Sequence, residues 1–271
     1  MHYQTFIPHD LLKPYVKYFW LLEGDRNNQH TTQRILPDGC MELIVNYGDL
    51  FKRIHQNDNA EIQPRSFIHG QIRNYIDIQP IDKVGIVGAR FFPSRVSPFV
   101  RLPVAELNDR AVSLEDIFGN EANRIEERIL NEPSASGKIQ IAEAFLIQKL
   151  LANEKMDYVV ERCVNMIIKA KGQVALHELI KQIRISERHL ERKFISFVGL
   201  SPKSFQRITR FQHVLQLIKQ NHFSSFESFS YESGYYDQSH FVKDFKAFTG
   251  VNPVAYFTGN NVLSDFFTSE S

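Results

Sequence analysis

The last hundred residues of the chain contain a repeat with a period of 51 residues. The two copies are SERHLERKFISFVGLSPKSF at 186–205 and DQSHFVKDFKAFTGVNPVAY at 237–256. In this register, positions of the same chemical type coincide: His189 with His240, Arg192 with Lys243, Phe194 with Phe245, Gly199 with Gly250 and Pro202 with Pro253. Internal repetition of this kind predicts that one supersecondary unit is used twice.

Each copy has the signals of a short amphipathic helix followed by a second helix. In the first copy Ser186 is a favoured N-cap, and the apolar residues Leu190, Phe194 and Phe197, at i, i+4 and i+7, predict one buried stripe. Gly199 stands where a helix ends in a left-handed residue. Ser201-Pro202 provides a cap and a first-turn proline for the next helix. The second copy carries the equivalent signals at Asp237, Gly250 and Asn252-Pro253.

A further short apolar-patterned segment precedes each copy. A short helix, a tight turn and a helix with a polar face make the helix-turn-helix pattern, whose second helix enters a major groove. We therefore predict units at 175–198 and 225–249, with recognition helices at about 187–198 and 238–249. The alternative is that each charged face is only a solvated surface, which two matched copies disfavour.

These residues resemble the DNA-binding domain of the AraC/XylS family of bacterial transcription regulators. The resemblance covers about 157–257 and is most specific in ESGYYDQSHFVKDFKAFTGVNPVAYF. It implies an all-helical domain, here 157–258, whose two units are joined by a long helix at about 202–220. Such a helix of about nineteen residues spans about 28 Å, close to the roughly 34 Å of one DNA turn.

The resemblance also implies positions for DNA contacts. Base contacts fall on Arg188, Glu191 and Arg192 of the first recognition helix and on Gln238, Ser239 and Lys243 of the second. Phosphate contacts are assigned to His189, Lys193, His240 and Lys246. The side-chain types fit these roles, since Arg and Lys bind guanine edges, Gln binds adenine and Glu accepts from cytosine. The sequence departs from the family pattern at Arg184, where glycine often forms the turn, and at Phe257, where Arg is common.

The formal net charge of +1 conceals an uneven distribution. Residues 172–257 contain 11 Lys and Arg against 7 Asp and Glu, which leaves 21 against 24 in the remainder. This modest excess predicts weak, salt-sensitive DNA binding by an isolated C-terminal domain. The same modest charge and the acidic Glu191 fit an alternative function, a sensor or binding module whose helix-turn-helix units contact protein. The matched cations Arg192 and Lys243 favour DNA.

The N-terminal part has a different pattern. Within residues 1–105, β-rich runs alternate with turn formers: YVKYFWLL at 15–22, MELIVNY at 41–47, SFIH at 66–69, YIDI at 75–78 and VGIVGARFF at 84–92. This spacing predicts a small β-barrel or β-sandwich. Residues 106–153 have helical periodicity, with Ser113 as a cap, and should cover the β-structure. The expected fold class is therefore multi-domain α+β, with a regulatory or dimerisation domain at 1–153.

This half resembles an uncharacterised domain that often precedes AraC-type DNA-binding domains. The matching segments are LPDGCMELIVNYGD, FIHGQ, VGARFFPSRVSPF and PVAELNDRAVSLEDIFG. The resemblance implies regulation without identifying a ligand. Side chains that could line a pocket are Trp20, Arg34, Glu42, His69 and Arg90. A structural role fits each of them at least as well: a core aromatic for Trp20, surface ion pairs for the arginines and a satisfied core or rim position for His69.

Motifs for catalysis, metal or cofactors are absent from the sequence, so we predict no enzyme, no metal site and no cofactor. Cys40 and Cys163 lack C-x-x-C spacing and no apolar run reaches 18 residues. These features predict a cytoplasmic protein without a membrane association. Double-stranded DNA is the expected partner. RNA polymerase, a small-molecule effector and a second copy of the chain are further candidates.

Overall fold

The computed structural model describes residues 1–24, 32–55, 57, 59–152, 157–220, 234, 235 and 237–258. An antiparallel β-sandwich with helices on one side is followed by a helical C-terminal region. The multi-domain α+β class is therefore confirmed. Within the described residues, no helix combines the length and the apolar character that a membrane span needs.

The β-structure consists of two separate antiparallel sheets. The strands are β1 His2–Phe6, β2 Val16–Gly24, β3 Gln33–Ile35, β4 Glu42–Asn46, β5 Phe51–Ile54, β6 Ala60–Ile62, β7 Ser66–His69, β8 Ile76–Pro80, β9 Val84–Phe91 and β10 Ala111–Ser113. The larger sheet has the order β1-β2-β9-β4-β7-β10 and the smaller one β3-β8-β5-β6. Of the two predicted architectures, the sandwich is the one observed. The five predicted β-rich runs correspond to β2, β4, β7, β8 and β9.

The central strands of the larger sheet are buried on both faces, because their alternating side chains enter two different apolar cores. Phe19 and Val87 belong to one apolar core, which the sheet shares with the helices. Trp20 and Ile86 belong to a second core, which includes Ile78 of the smaller sheet. The sandwich therefore has three layers, in the order helices, larger sheet and smaller sheet.

Helices α1 Leu114–Phe118, α2 Asn120–Asn131 and α3 Ala135–Ala152 cover the outer face of the larger sheet. Two short 3₁₀ turns, Ser97–Phe99 and Val104–Leu107, come before them. The predicted cap at Ser113 is confirmed, because its hydroxyl accepts a hydrogen bond from the backbone N–H of Asp116 at 3.0 Å.

The C-terminal region contains α4 Tyr158–Lys169, α5 Leu176–Ile183, α6 Glu187–Val198, α7 Pro202–Lys219, α8 Gln238–Thr249 and α9 Pro253–Thr258. The predicted recognition helices at 187–198 and 238–249 coincide with α6 and α8. The predicted joining helix at 202–220 corresponds to α7. The first helix of the predicted unit at 225–249 lies outside the described residues, as does most of the predicted boundary at 153–157.

The N-terminal and C-terminal halves pack against each other. Leu36, in the loop after β3, is 3% exposed and belongs to the apolar core of the C-terminal region. The side-chain N–H of Gln212 on α7 donates to the carbonyl of Pro37 at 2.7 Å. Arg95 forms an ion pair with Glu161 of α4. The loop that follows β3 therefore belongs structurally to both halves.

Candidate nucleic-acid interface

Helices α6 and α8 are two copies of one local structure. The N-cap side chains of Ser186 and Asp237 accept hydrogen bonds from the third residues of their helices, at 3.3 and 2.8 Å. Each helix has 12 residues and ends at a glycine in the left-handed region, Gly199 with φ 82° and Gly250 with φ 76°. The start and stop signals of the repeat are thus confirmed.

One stripe of each helix is buried. Phe194 and Phe245, which occupy equivalent positions, are both 0% exposed. Phe197 was also predicted in the first stripe, but it is only partly buried, while the adjacent Val198 is fully buried. Counted from Leu190, the residue at i+8 (Val198) therefore faces the core more directly than the residue at i+7 (Phe197).

The side chains opposite these stripes are available to a partner. All six predicted base-contacting residues are exposed: Arg188, Glu191, Arg192, Gln238, Ser239 and Lys243. Of the predicted phosphate contacts, His240 and Lys246 are exposed, whereas His189 and Lys193 are half-buried. Lys193 is paired with Asp157, the N-cap of α4, so a phosphate contact would require that pair to open.

Ile195 is a candidate base contact in addition to the six residues predicted from the sequence. It lies on α6 one turn after Glu191 and Arg192, and its side chain remains 42% exposed. Apolar side chains on a recognition helix commonly contact the methyl group of thymine. An isoleucine outside the apolar stripe was a usable signal for this position.

The turn between α5 and α6 contains Arg184 in the left-handed conformation, with φ 60° and ψ 42°. This is the position at which the family often has glycine. A left-handed residue with a Cβ costs about 1–2 kcal/mol, so this turn carries the strain that the departure from the family pattern predicts. The backbone N–H of Arg184 still closes α5 by donating to the carbonyl of Ile180 at 2.8 Å.

A charged pair attaches the second recognition helix to the joining helix. Asp244 of α8 accepts from Arg207 of α7, with 2.6 Å between Oδ1 and Nη2. Hydrogen bonding to Asp244 raises the pKa of Arg207. The Asp244 side chain is only 11% exposed, and the pair therefore fixes the angle between α7 and α8.

The N-terminal half contacts the C-terminal ends of both recognition helices. The side-chain N–H of Asn108 donates to the carbonyl of Gly199, after α6, at 2.6 Å. Arg34 of β3 donates through Nη1 to the carbonyl of Thr249, at the end of α8, at 2.8 Å. In the 51-residue repeat Gly199 corresponds to Gly250, so the two contacted carbonyls lie within one residue of equivalent positions. We refer to this pair of contacts as the double clamp.

Both parts of the double clamp depend on close approach to a glycine. A Cβ atom added at Gly199 would lie 2.7 Å from Oδ1 of Asn108, and one added at Gly250 would lie 2.6 Å from Cε1 of Tyr75. Arg34 is itself held in place, since it pairs with Asp77 at 2.7 Å and stacks on Tyr75 at 3.9 Å. A cation also favours the negative end of a helix dipole.

Family comparisons agree with this geometry. Residues 179–259 match a model described as a helix-turn-helix domain. The C-terminal region is an AraC-type helix-turn-helix domain. Residues 4–113 match a domain of unknown function, DUF6597. These matches support a DNA-binding transcription regulator whose N-terminal domain has no assigned role.

Among solved structures, the chain aligns with ToxT from Vibrio cholerae. One ToxT structure has a TM-score of 0.47 and 13% identity, with 96% of this chain and 100% of that chain covered. A ToxT structure with bound unsaturated fatty acid has a TM-score of 0.43 and 12% identity, with 86% and 96% covered. A comparison with curated proteins finds no match.

Four of the five suggested pocket residues surround one cavity in the N-terminal half: Trp20, Glu42, His69 and Arg90. Arg34 lies outside this cavity, in the double clamp. Trp20 is a buried aromatic, as its structural interpretation required. Arg90 is ion-paired but not at the surface, because its side chain is only 12% exposed. Within the described part of the chain, no group of His, Cys, Asp and Glu could hold a metal ion, and both cysteines are buried thiols.

Proposed function

We propose that the protein binds specific sequences of double-stranded DNA by placing α6 and α8 in two adjacent major grooves. The observation that carries this proposal is the pair of matched helices with exposed cationic faces on one scaffold. Helix α7 connects them, and its 18 residues span about 27 Å at roughly 1.5 Å each. This length is compatible with the roughly 34 Å between equivalent positions one turn apart on DNA.

The six exposed residues named above would make the base contacts, and the neighbouring cations the phosphate contacts. Arg192 and Lys243 occupy equivalent positions and carry the strongest assignment, because both can donate to guanine edges. The alternative, in which these helices contact a protein, is less well supported, since a protein partner does not require two matched helices with cationic faces on one scaffold.

Selection from a random DNA pool with the full-length protein, at two salt concentrations, tests the proposal. We expect enrichment of a motif with two half-elements about one turn apart, and an affinity that falls as salt rises. A motif with only one element would contradict the use of both helices. Binding without any enriched motif would contradict sequence-specific recognition.

The N-terminal half, proposed as one regulatory domain over 1–153, would act through the double clamp. By holding both recognition helices at their C-terminal ends, it fixes their spacing and leaves their N-terminal turns exposed. A signal shifts this arrangement only if it binds one state better than the other. A small-molecule effector, RNA polymerase and a second copy of the chain are the proposed sources of such a signal.

The double clamp gives a prediction of its own. Asn108→Ala removes the hydrogen bond to Gly199, so the first recognition helix loses part of its preorganisation. We expect a loss of about 3- to 10-fold in affinity for DNA with two half-elements, in line with one hydrogen bond. Affinity for DNA with one half-element should not change. The measurement is a titration of both DNAs.

Asn123→Ala is the matched control, because Asn123 is exposed on α2. It should leave both affinities unchanged. If Asn108→Ala weakened binding to one half-element as strongly as to two, the contact would support the fold of the helix rather than its spacing.

A further inference from the structure

Lys193 of α6 and Asp244 of α8 occupy the same position of the 51-residue repeat but have opposite charges. Each forms an ion pair with the helix that precedes its own helix-turn-helix unit. Lys193 pairs with Asp157, the N-cap of α4, and Asp244 pairs with Arg207 of α7. We refer to Asp157–Lys193 as the first inter-helix pair and to Arg207–Asp244 as the second.

The repeat includes these two preceding helices. With the same shift of 51 residues, three buried residues of α4 coincide with three buried residues of α7: Val160 with Phe211, Cys163 with Val214 and Val164 with Leu215. The two helices also end together, at Lys169 and Lys219, which lie within one residue of equivalent positions. In the repeat, α4 therefore corresponds to about the last three turns of α7.

The two inter-helix pairs lie at corresponding places in this longer repeat. Lys193 and Asp244 coincide, and Asp157 and Arg207 correspond within one residue. The two carboxylates are also equally buried, at 11% exposed each. An aspartate is repelled by phosphate, so a phosphate contact is not what the position of Lys193 and Asp244 has in common. The shared feature is the ion pair with the preceding helix.

The first inter-helix pair is held in place at its carboxylate. Asp157 accepts hydrogen bonds from the backbone N–H groups of Val159 and Val160 at 3.0 and 3.2 Å. Burial acts to raise the pKa of Asp157, but the hydrogen bonds from Lys193 and from the backbone hold this pKa below its ordinary value. Asp157 cannot turn away from Lys193 without also weakening the cap of α4.

The second inter-helix pair is held in place at its guanidinium. Arg207 donates to both carboxylate oxygens of Asp244, through Nη2 to Oδ1 at 2.6 Å and through Nε to Oδ2 at 3.2 Å. Two parallel hydrogen bonds define the relative orientation of the two groups. The same guanidinium lies 5.3 Å from the ring centre of Phe248, which is also on α8. Arg207 therefore contacts α8 at two points.

Each pair lies one residue away from a side chain proposed to contact bases. Lys193 follows Arg192, and Asp244 follows Lys243. A rotation of a helix by about 20° moves an atom at its surface, roughly 5–6 Å from the axis, by about 2 Å. Such a displacement is larger than a hydrogen bond tolerates. An ion pair that fixes the rotation of the helix therefore also fixes where Arg192 or Lys243 reaches.

The opposite polarity of the two pairs distinguishes the two units from each other. If α6 packed against α7 instead of α4, Lys193 would face Arg207. If α8 packed against α4, Asp244 would face Asp157. Like charges in a largely buried contact are strongly unfavourable, and interfaces use such repulsion to exclude wrong partners. Two units with the same arrangement of helices are thereby kept from exchanging recognition helices.

We propose that the two inter-helix pairs are equivalent positioning devices, which fix the rotation of α6 and α8 about their axes and restrict each recognition helix to its own unit. Lys193 thereby has a positioning role instead of the phosphate contact that the family resemblance implies. The effect on DNA recognition rests on the proposed function, whereas the pairing itself does not.

Asp157→Asn separates the positioning role from the phosphate contact, because the two give effects of opposite sign. The amide oxygen can still cap α4, but the charge that holds Lys193 is removed. We expect the affinity of the full-length protein for the selected DNA to fall about 3- to 10-fold, with the affinity for unrelated DNA unchanged. If Lys193 instead binds phosphate, its release from Asp157 should strengthen binding to both DNAs, and this result would overturn the positioning role.

Lys193→Met should have the same effect as Asp157→Asn, and the double variant should be no weaker than either single variant, because one interaction is lost in all three. The slope of the logarithm of affinity against the logarithm of salt concentration should not change. A fall of about 1 in this slope is the signature of a lost phosphate contact and would contradict the proposal. The matched controls are Asp116→Asn and Lys83→Met, since both residues are exposed in the N-terminal half.

The polarity is tested on the second pair. Asp244→Lys places an ammonium group beside Arg207 and should lower both the melting temperature and the affinity for the selected DNA. Adding Arg207→Asp gives this pair the polarity of the first one and restores the net charge of the unmodified protein. We expect the double variant to recover most of both losses. A double variant no better than Asp244→Lys alone would overturn the role of the ion pair.

The failure of this proposal differs from the failure of the proposed function. If the unmodified protein selected no DNA sequence, the proposed function of α6 and α8 would be wrong. The melting temperatures would still show whether Arg207→Asp rescues Asp244→Lys, and they would therefore decide the pairing without DNA. Selective binding that Asp157→Asn leaves unchanged would contradict the positioning role alone.

Discussion

Replacing Phe245 with alanine is expected to lower the free energy of unfolding of the helical region by about 3–5 kcal/mol, the usual cost of deleting a buried aromatic ring. Phe245 is 0% exposed and lies among other rings, with centroids at 5.8 Å for Phe211, 5.6 Å for Phe241 and 5.3 Å for Tyr256. Its equivalent in the first copy, Phe194, is also 0% exposed, and Phe194→Ala should cost a comparable amount.

Denaturant unfolding followed by far-ultraviolet circular dichroism measures this loss. Lys246→Ala is the adjacent control, because Lys246 is exposed, and surface changes of this kind usually stay within about 0.5 kcal/mol. A loss below about 1 kcal/mol for Phe245→Ala would mean that the aromatic stripe is not part of the core. Lys243 is placed on the exposed face of α8 because the stripe on the other face is buried, so this placement would also be wrong.

The recognition helices could be predicted from the sequence because all of their determinants are local. A cap at Ser186 and a stop at Gly199 act within one or two turns of the chain, and the apolar stripe follows the 3.6-residue period. The equivalent signals at Asp237 and Gly250 made the same prediction a second time. Both helices are therefore found at the expected residues.

Strands were predicted only where the run is apolar enough to be noticed. β2 and β9 are long and mostly buried, whereas β6, Ala60–Ile62, is three residues long and exposed throughout. β3 is also three residues long and only partly buried. Short polar strands are stabilised by their pairing with a neighbour, and pairing is not visible in a local pattern.

The double clamp could not be predicted for a similar reason. Asn108 and Gly199 are 91 positions apart in the chain, and Arg34 and Thr249 are 215 positions apart. A sequence shows the glycines that allow a close approach, but not the side chain that approaches. The cavity could be predicted only in part. Alternation along a strand shows which residues of β4 share a face with Glu42 and which residues of β9 share a face with Arg90. Only the pairing of β4 with β9 shows that Glu42 and Arg90 lie on the same face of the sheet.

The largest functional effect is expected from the double variant Arg192→Ala with Lys243→Ala. Each side chain is exposed, and each lies on the helix face opposite a fully buried phenylalanine, Phe194 for Arg192 and Phe245 for Lys243. Loss of one base contact costs about 1–3 kcal/mol, and changes on separate helices should add. The double variant should therefore lose about 2–6 kcal/mol of specific binding, which is at least about 30-fold in affinity, without a change in melting temperature.

The control must remove the same charges from elsewhere, because any loss of cations weakens binding to DNA. Lys83→Ala with Arg124→Ala does so, since both residues are exposed in the N-terminal half. The decisive quantity is the ratio of the affinity for the selected DNA to the affinity for unrelated DNA.

If Arg192 and Lys243 contact bases, this ratio falls in their double variant and stays constant in the control. If both affinities fall together, the two side chains contact phosphates. If neither affinity changes, the exposed faces of α6 and α8 do not bind DNA, and a protein partner becomes the better hypothesis for them.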